Sequence, residues 1–250
     1  MNKHEHAVSS QPGAAQADAA QPARYPLKYR AVRRSACYAA GLLLLALGVT
    51  LSVKSDLGVS PVSSLPYVLS GILRRDMGLV TALLFFVYVL AQIVLLKKEF
   101  HVTGLLQIAA GVLFGMFVSF TNSLFAFEIP DTYFLRLLFM LLSAALIGFS
   151  HVLVLTPGLA PQPPEGLMLA VQRKTRFKLH HIKIVFDCGS VALAALLSLV
   201  FLGRLTGVRE GTALSALLVG VMLGFFQKLC GPALRRLLFD EKAAPPPAPQ

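Results

Sequence analysis

Six apolar runs, at residues 35–53, 78–96, 104–127, 133–155, 182–203 and 211–230, constrain this chain more than anything else in it. Each has the length of about 20 residues that a helix needs to cross the hydrocarbon core of a bilayer. Two shorter segments, 57–73 and 159–172, do not fit that pattern. The first lies within "DLGVSPVSSLPYVLSG" (56–71), too rich in proline for an ordinary spanning helix and too apolar for a surface loop. The second, "APQPPEGLMLAV", carries Glu165, and a charge at the centre of a lipid-exposed helix costs at least about 2.5–3.5 kcal/mol. Irregular, proline-containing backbone at membrane depth survives only where protein or a water-filled cavity shelters it. The expected fold is therefore all-α: a polytopic membrane helix bundle of about six spanning helices plus two half-helical or re-entrant segments.

Composition agrees. With 56% hydrophobic residues, 14% charged and a mean hydropathy of +0.69, a water-soluble domain of 250 residues has too little interior for its apolar side chains. The net charge of +11 does not point to nucleic acid, because the basic residues cluster at the ends of apolar runs instead of forming one stripe. That pattern is a topology signal, and it puts both termini on the cytoplasmic side. Cys37, Cys188 and Cys230 are far apart and offer neither a disulfide framework nor metal-ligand spacing. Residues 1–33 and 231–250, rich in Ala, Pro and Gln, are expected as cytoplasmic tails flanking a transmembrane domain at 34–230. The N-terminal stretch lacks the apolar core of a secretory signal, and His4 and His6 are read as tail residues, not metal ligands.

The chain also matches itself. Shifted by 102 positions, Leu57, Pro61, Leu65 and Leu69 fall on Leu159, Pro163, Leu167 and Val171, and Arg34 falls on Arg136. Further on, "GVLFGMF" at 111–117 pairs with "GVMLGFF" at 220–226. The implied unit, helix, proline-broken segment, helix, helix, occurs at 34–127 and again at 133–230. If the short segments are re-entrant, the second unit is inverted; if they span, the units are parallel. Charge does not choose between these, and shelter for the broken backbone favours the re-entrant form.

In that form the two short segments face each other across a site. Pro61 and Pro66 remove backbone donors, while Ser60, Ser63 and Ser64 can satisfy backbone groups or hold a polar solute. Glu165 and Gly166 stand opposite them. In "LHHIKIVFDCGS", His180, Lys183, Asp187 and Ser190 fall on one helical face. Lys183 and Asp187 then serve either as an ion-coupling pair, together with Glu165, or as an ion pair that locks helices together. Glu210 before the last run reads as a helix-start residue. Gln107 and Asn122 read as interhelical hydrogen-bonding groups, and Gly111/Gly115 and Gly220/Gly224 as close-packing pairs.

"LGVSPVSSLPYVLS", "PPEGLMLAVQRKT" and "GRLTGVREGTALSALLVG" together resemble the YczE/YyaS/YitT-like bacterial membrane proteins over roughly 35–230. That resemblance implies a multi-pass inner-membrane protein and carries no established activity. Its motif positions fall on Gly58, Ser60, Pro61, Pro164, Glu165, Gly166, Leu167, Arg209, Glu210, Gly211 and Thr212. Asp56, where a small residue is more usual, and the additional Pro161 and Pro163 are departures.

No phosphate-binding loop, zinc-protease, serine-hydrolase or paired-cysteine pattern occurs, so no enzyme and no cofactor is expected. The reading is a small-solute transporter or permease partnered by the lipid bilayer and an unknown solute or ion. A substrate-capturing membrane subunit that needs an energising partner, a homo-oligomer of it, and a non-transporting scaffold or regulator remain open alternatives.

Overall fold

The computed structural model describes residues 31–125 and 132–239, apart from the side chains of residues 102 and 103. His4, His6 and the other tail positions before 31 and after 239 lie outside it. Among the described residues every regular element is a helix. Six are long and apolar enough to cross a membrane. They are α1 (Ala31–Ser55), α3 (Met77–Leu96), α4 (Leu106–Leu124), α5 (Tyr133–Leu155), α7 (Leu179–Leu197, continued by a π turn at Ser198–Leu202) and α8 (Glu210–Phe239). The short segments form α2 (Pro61–Leu73) and α6 (Pro163–Thr175). At 13 residues each, about 20 Å at 1.5 Å per residue, neither reaches across a hydrocarbon core.

Proline sets where the short helices begin. Pro61 opens α2, and Pro163 and Pro164 open α6, positions where a missing N–H costs nothing because the first turn has no partner for it. Each ends on an arginine in left-handed backbone, Arg74 (φ 51°) after α2 and Arg176 (φ 59°) after α6. Pro66 inside α2 removes the bond that the Val62 carbonyl would otherwise accept.

α1 and α5 form the central antiparallel pair. Gly41 lies against Leu153 and Val154, and Gly48 against Ile147 and Ser143, so small residues of α1 admit the α5 backbone. Arg34 at the start of α1 reaches the chain just after α5, donating to the Pro157 carbonyl at 2.9 and 2.5 Å. At the opposite end Arg136 of α5 pairs with Asp56, just after α1, at 3.0 Å. α4 packs beside α1, with Thr50 and Thr121 hydroxyls 2.8 Å apart, and α8 packs beside α5. The end of α8 returns to the start of α1, where the Arg34 guanidinium lies 5.2 Å from the Phe239 ring centre. α8 thus continues nine residues past Cys230, beyond the expected limit of the bundle, and Leu238 is fully buried.

The short helices are exchanged between halves of the chain. α2 packs on α7 and α6 packs on α3. Both ends of α2 stay at one end of the bundle: the Val59 N–H donates to the Gly207 carbonyl at 3.0 Å, and Gly71 lies against Leu202. Both ends of α6 stay at the other: the loop before it is held by Arg34, and Lys174 in its last turn pairs with Glu99 at 2.7 Å. α3 and α4 are tightly paired, through Gly78 and Gly115. α7 and α8 make no comparable contact.

Candidate functional site

Between α2 and α6 lies a cavity of about 450 Å³. Its walls are mostly apolar and draw on all eight helices, with Leu45, Val49, Phe85, Phe114, Ile147 and Met168 among them. The openings of both short helices reach it: Ser60, Pro61, Val62 and Ser63 from α2, and Gln162, Pro164 and Glu165 at the start of α6. His151 of α5, Lys183 and Asp187 of α7, and Ser215 of α8 complete the polar lining with Thr81.

Glu165 is the third residue of α6 and closes a capping box, its Oε2 accepting from the Gln162 N–H at 3.4 Å. Its other oxygen, Oε1, lies 3.9 Å from His151 Nε2. His151 Nδ1 is 2.7 Å from the Ile147 carbonyl of its own helix. A carbonyl only accepts, so Nδ1 carries a proton, and the neutral ring presents Nε2 as an acceptor. An ionised Glu165 is acceptor-only too, so the two groups attract when they share one further proton and not when they hold none.

Lys183 and Asp187 form an ion pair one turn apart on α7, Nζ to Oδ2 at 3.0 Å. The pair is therefore internal to α7 and does not bridge helices, which removes the interhelical-lock reading. Asp187 Oδ1 is buried and has no protein partner, and neither has Nε2 of Gln162, a residue only 7% exposed. A buried polar atom without a partner costs about 1–3 kcal/mol, so both atoms are sites where a bound solute has something to gain.

Other expected site residues face elsewhere. Ser64 is buried and donates to the Pro61 carbonyl at 2.7 Å, away from the cavity. Gly166 is turned toward α3 and α4, where Gln92 and Gln107 leave no room for a β-carbon. Its requirement is close packing and not solute contact: Gln92 Nε2 donates to Gln107 Oε1 at 3.0 Å and to the Pro163 carbonyl at 3.2 Å, stitching α6 to α3 and α4. Gln107 thus plays the expected interhelical role. His180 is exposed beside His181 and takes no part in the site.

Gly58, Arg209, Gly211 and Thr212 come together at the far end from Arg34. Gly58 has φ 115° and abuts Thr212, a position closed to any residue with a side chain. The Gly211 N–H donates to the Leu57 carbonyl at 2.8 Å, and Arg209 donates to the Asp56 carbonyl at 2.8 Å. The unusual Asp56 anchors this turn, its carboxylate held by Arg136 at 3.0 Å and by Arg209 at 3.3 Å. Glu210 opens α8 in its first turn, 3.8 Å from Arg209, where the helix dipole favours an acid.

Sequence reasoning missed His151 and Gln162. His151 stands alone among apolar residues in "IGFSHVLVL", and a titratable residue inside a spanning run was itself the signal. Gln162 became visible only once Pro163 was seen to open a helix.

No solved structure matches the chain closely enough to be informative. It is 27% identical over 225 residues to the uncharacterised membrane protein YczE of Bacillus subtilis (strain 168), covering 88% of this chain and 99% of that protein. A family model, DUF6198, a family of unknown function, matches residues 32–228. This helical membrane bundle, whose turns at Gly58 and at Arg209–Thr212 meet at one end, is by that match a member of the DUF6198 family.

Proposed function

We propose that this protein is a small-solute transporter or permease of the bacterial cytoplasmic membrane, with both termini cytoplasmic and the solute held between α2 and α6. The carrying observation is the central cavity, about 450 Å³ and therefore in the range of small-molecule sites, into which the openings of two short helices and four titratable side chains converge. Charged groups within a membrane bundle are expensive, and a cavity that collects Glu165, His151, Lys183 and Asp187 is the arrangement expected of a solute or proton path.

The two halves are read as an inverted repeat. Arg34 of α1 holds the loop before α6, and its counterpart Arg136 of α5 holds the loop before α2. Each half gives its short helix to the third helix of the other. Rocking of one half against the other then exposes a fixed central site to either side in turn. Glu165 and His151 take up or release the coupling proton, and the Asp187–Lys183 pair sets the field beside the solute.

The test is uptake into proteoliposomes under an imposed pH gradient, paired with thermal shifts of the purified protein across ions and metabolites at several pH values. A solute that shifts the melting temperature and is taken up, both lost in Glu165→Gln and Asp187→Asn, is the expected result. Uptake that appears only with a co-purifying ATPase makes the chain a substrate-capturing subunit. Absence of any shift or uptake across a broad panel overturns the carrier reading.

A further inference from the structure

The bundle is not closed all round. Where α3 and α4 are locked together, the corresponding pair α7 and α8 stand apart. Gly220 and Gly224 of α8, which the sequence pairs with Gly111 and Gly115 of α4, have no atom within 4 Å of where a β-carbon would stand, and neither has Gly189 of α7. Both helices nonetheless line the cavity, α7 through Leu179, Lys183 and Asp187 and α8 through Ser215, Val219 and Gly220. The gap between them is thus a slot in the cavity wall on the flank of the bundle, the side that faces lipid.

We propose that this slot is a lateral entrance through which the cavity takes a single-chain amphiphile whose head group carries a protonated amine. The inference rests on the carrier reading for its site and goes beyond it in naming the substrate class and its route. Three features carry it. The walls are mostly apolar, which suits an alkyl chain and wastes a fully polar solute. Asp187 Oδ1, a buried acceptor with no protein partner on a residue that lines the cavity, asks for a donor, which a protonated amine supplies. The lining carries two carboxylates, Glu165 and Asp187, against one lysine, an acidic excess that suits a cation.

The slot also explains how selectivity divides between tail and head. Lipid tails are as apolar as the cavity wall, so a chain moving from bilayer to slot gains almost nothing from burial. The tail concentrates the ligand at the entrance, and the head decides binding.

The absence of tryptophan from the chain gives a clean experiment. Leu223→Trp places one reporter on the cavity side of α8, and Phe86→Trp places another on the exposed face of α3. The full-length protein in phosphatidylcholine nanodiscs is titrated with nitroxide-labelled dodecyl chains bearing an ammonium, a hydroxyl or a sulfate head. The expected result is saturable quenching of the Leu223→Trp reporter by the ammonium probe, at least about tenfold tighter than by the other two. Quenching at Phe86→Trp should be weak and non-saturable for all three. Adding Gly220→Phe, which has open space to occupy, should remove the saturable phase, while Gly224→Phe, on the same helix but outside the cavity lining, should leave it. Adding Asp187→Asn should abolish the preference for ammonium.

Equal quenching by all heads, or binding undisturbed by Gly220→Phe, overturns the proposal. So does competition by phosphatidylcholine chains alone, which would make the slot a lipid-filled gap. A water-soluble solute that passes the uptake test while the ammonium probe fails here would sink the amphiphile and leave the carrier standing. Saturable binding without movement across proteoliposomes would do the reverse.

Discussion

Gly78 of α3 and Gly115 of α4 meet so closely that neither helix has room for a β-carbon at the contact. Replacing Gly115 with Ala forces the two backbones apart, and overpacking of this kind costs about 1–3 kcal/mol. Gly220→Ala, at the matching place on α8, meets open space and removes only glycine's backbone entropy, so it should be neutral or stabilising by up to about 1 kcal/mol. Thermal unfolding of the two variants in one detergent measures the contrast, and equal losses would show that α7 and α8 close as α3 and α4 do.

Arg34 is 6% exposed and donates twice to the Pro157 carbonyl. Arg34→Met keeps much of the volume but leaves that carbonyl without its donor, at a cost of about 1–3 kcal/mol. Arg34→Lys should recover only part of this, since an ammonium lacks the planar fork. Denaturation midpoints of the three proteins give the order.

Gln92 and Gln107 act as a unit. Gln92→Leu strands buried Gln107 and the Pro163 carbonyl, at about 1–3 kcal/mol each, and Gln107→Leu takes one of the two acceptors from the Gln92 amide, whereas removing both leaves only the Pro163 carbonyl unpaired beside an apolar contact. The double variant should therefore lose less than the sum, a coupling of about 0.5–3 kcal/mol in a double-mutant cycle. Strict additivity would mean the pair is not formed.

Asp56 is a different kind of anchor. It is more than half exposed, so its pairs with Arg136 and Arg209 are screened, and Asp56→Asn should cost less than about 1 kcal/mol. The loss should shrink further at 1 M salt, where the screening length is about 3 Å. A larger, salt-independent loss would locate the anchoring in the backbone bond from Arg209 instead.

The spanning helices were legible because length and apolarity are properties of a run, readable without knowing any neighbour. The limits of α8 were not: "CGPALRR" reads as a stop, yet the helix passes through Pro232 because its far turns are held by α1, with Leu238 buried and Phe239 against Arg34. In the site, Ser60, Ser63, Glu165 and Asp187 could be chosen by chemistry. Which way Ser64 and Gly166 turned could not, since α2 and α6 are covered on several sides and periodicity names an inner face only when one face is wet. His151 was overlooked because no motif surrounds it.

The exchange of short helices has a consequence for synthesis. α1 to α4 leave the ribosome before α7 exists, so the broken backbone around Ser60 and Pro66 enters the membrane with only its lesser contact, α3, in place, while α6 finds α3 already waiting. The early half is thus the unfinished one, and a chain arrested before α7 should be the form that quality-control proteases recognise.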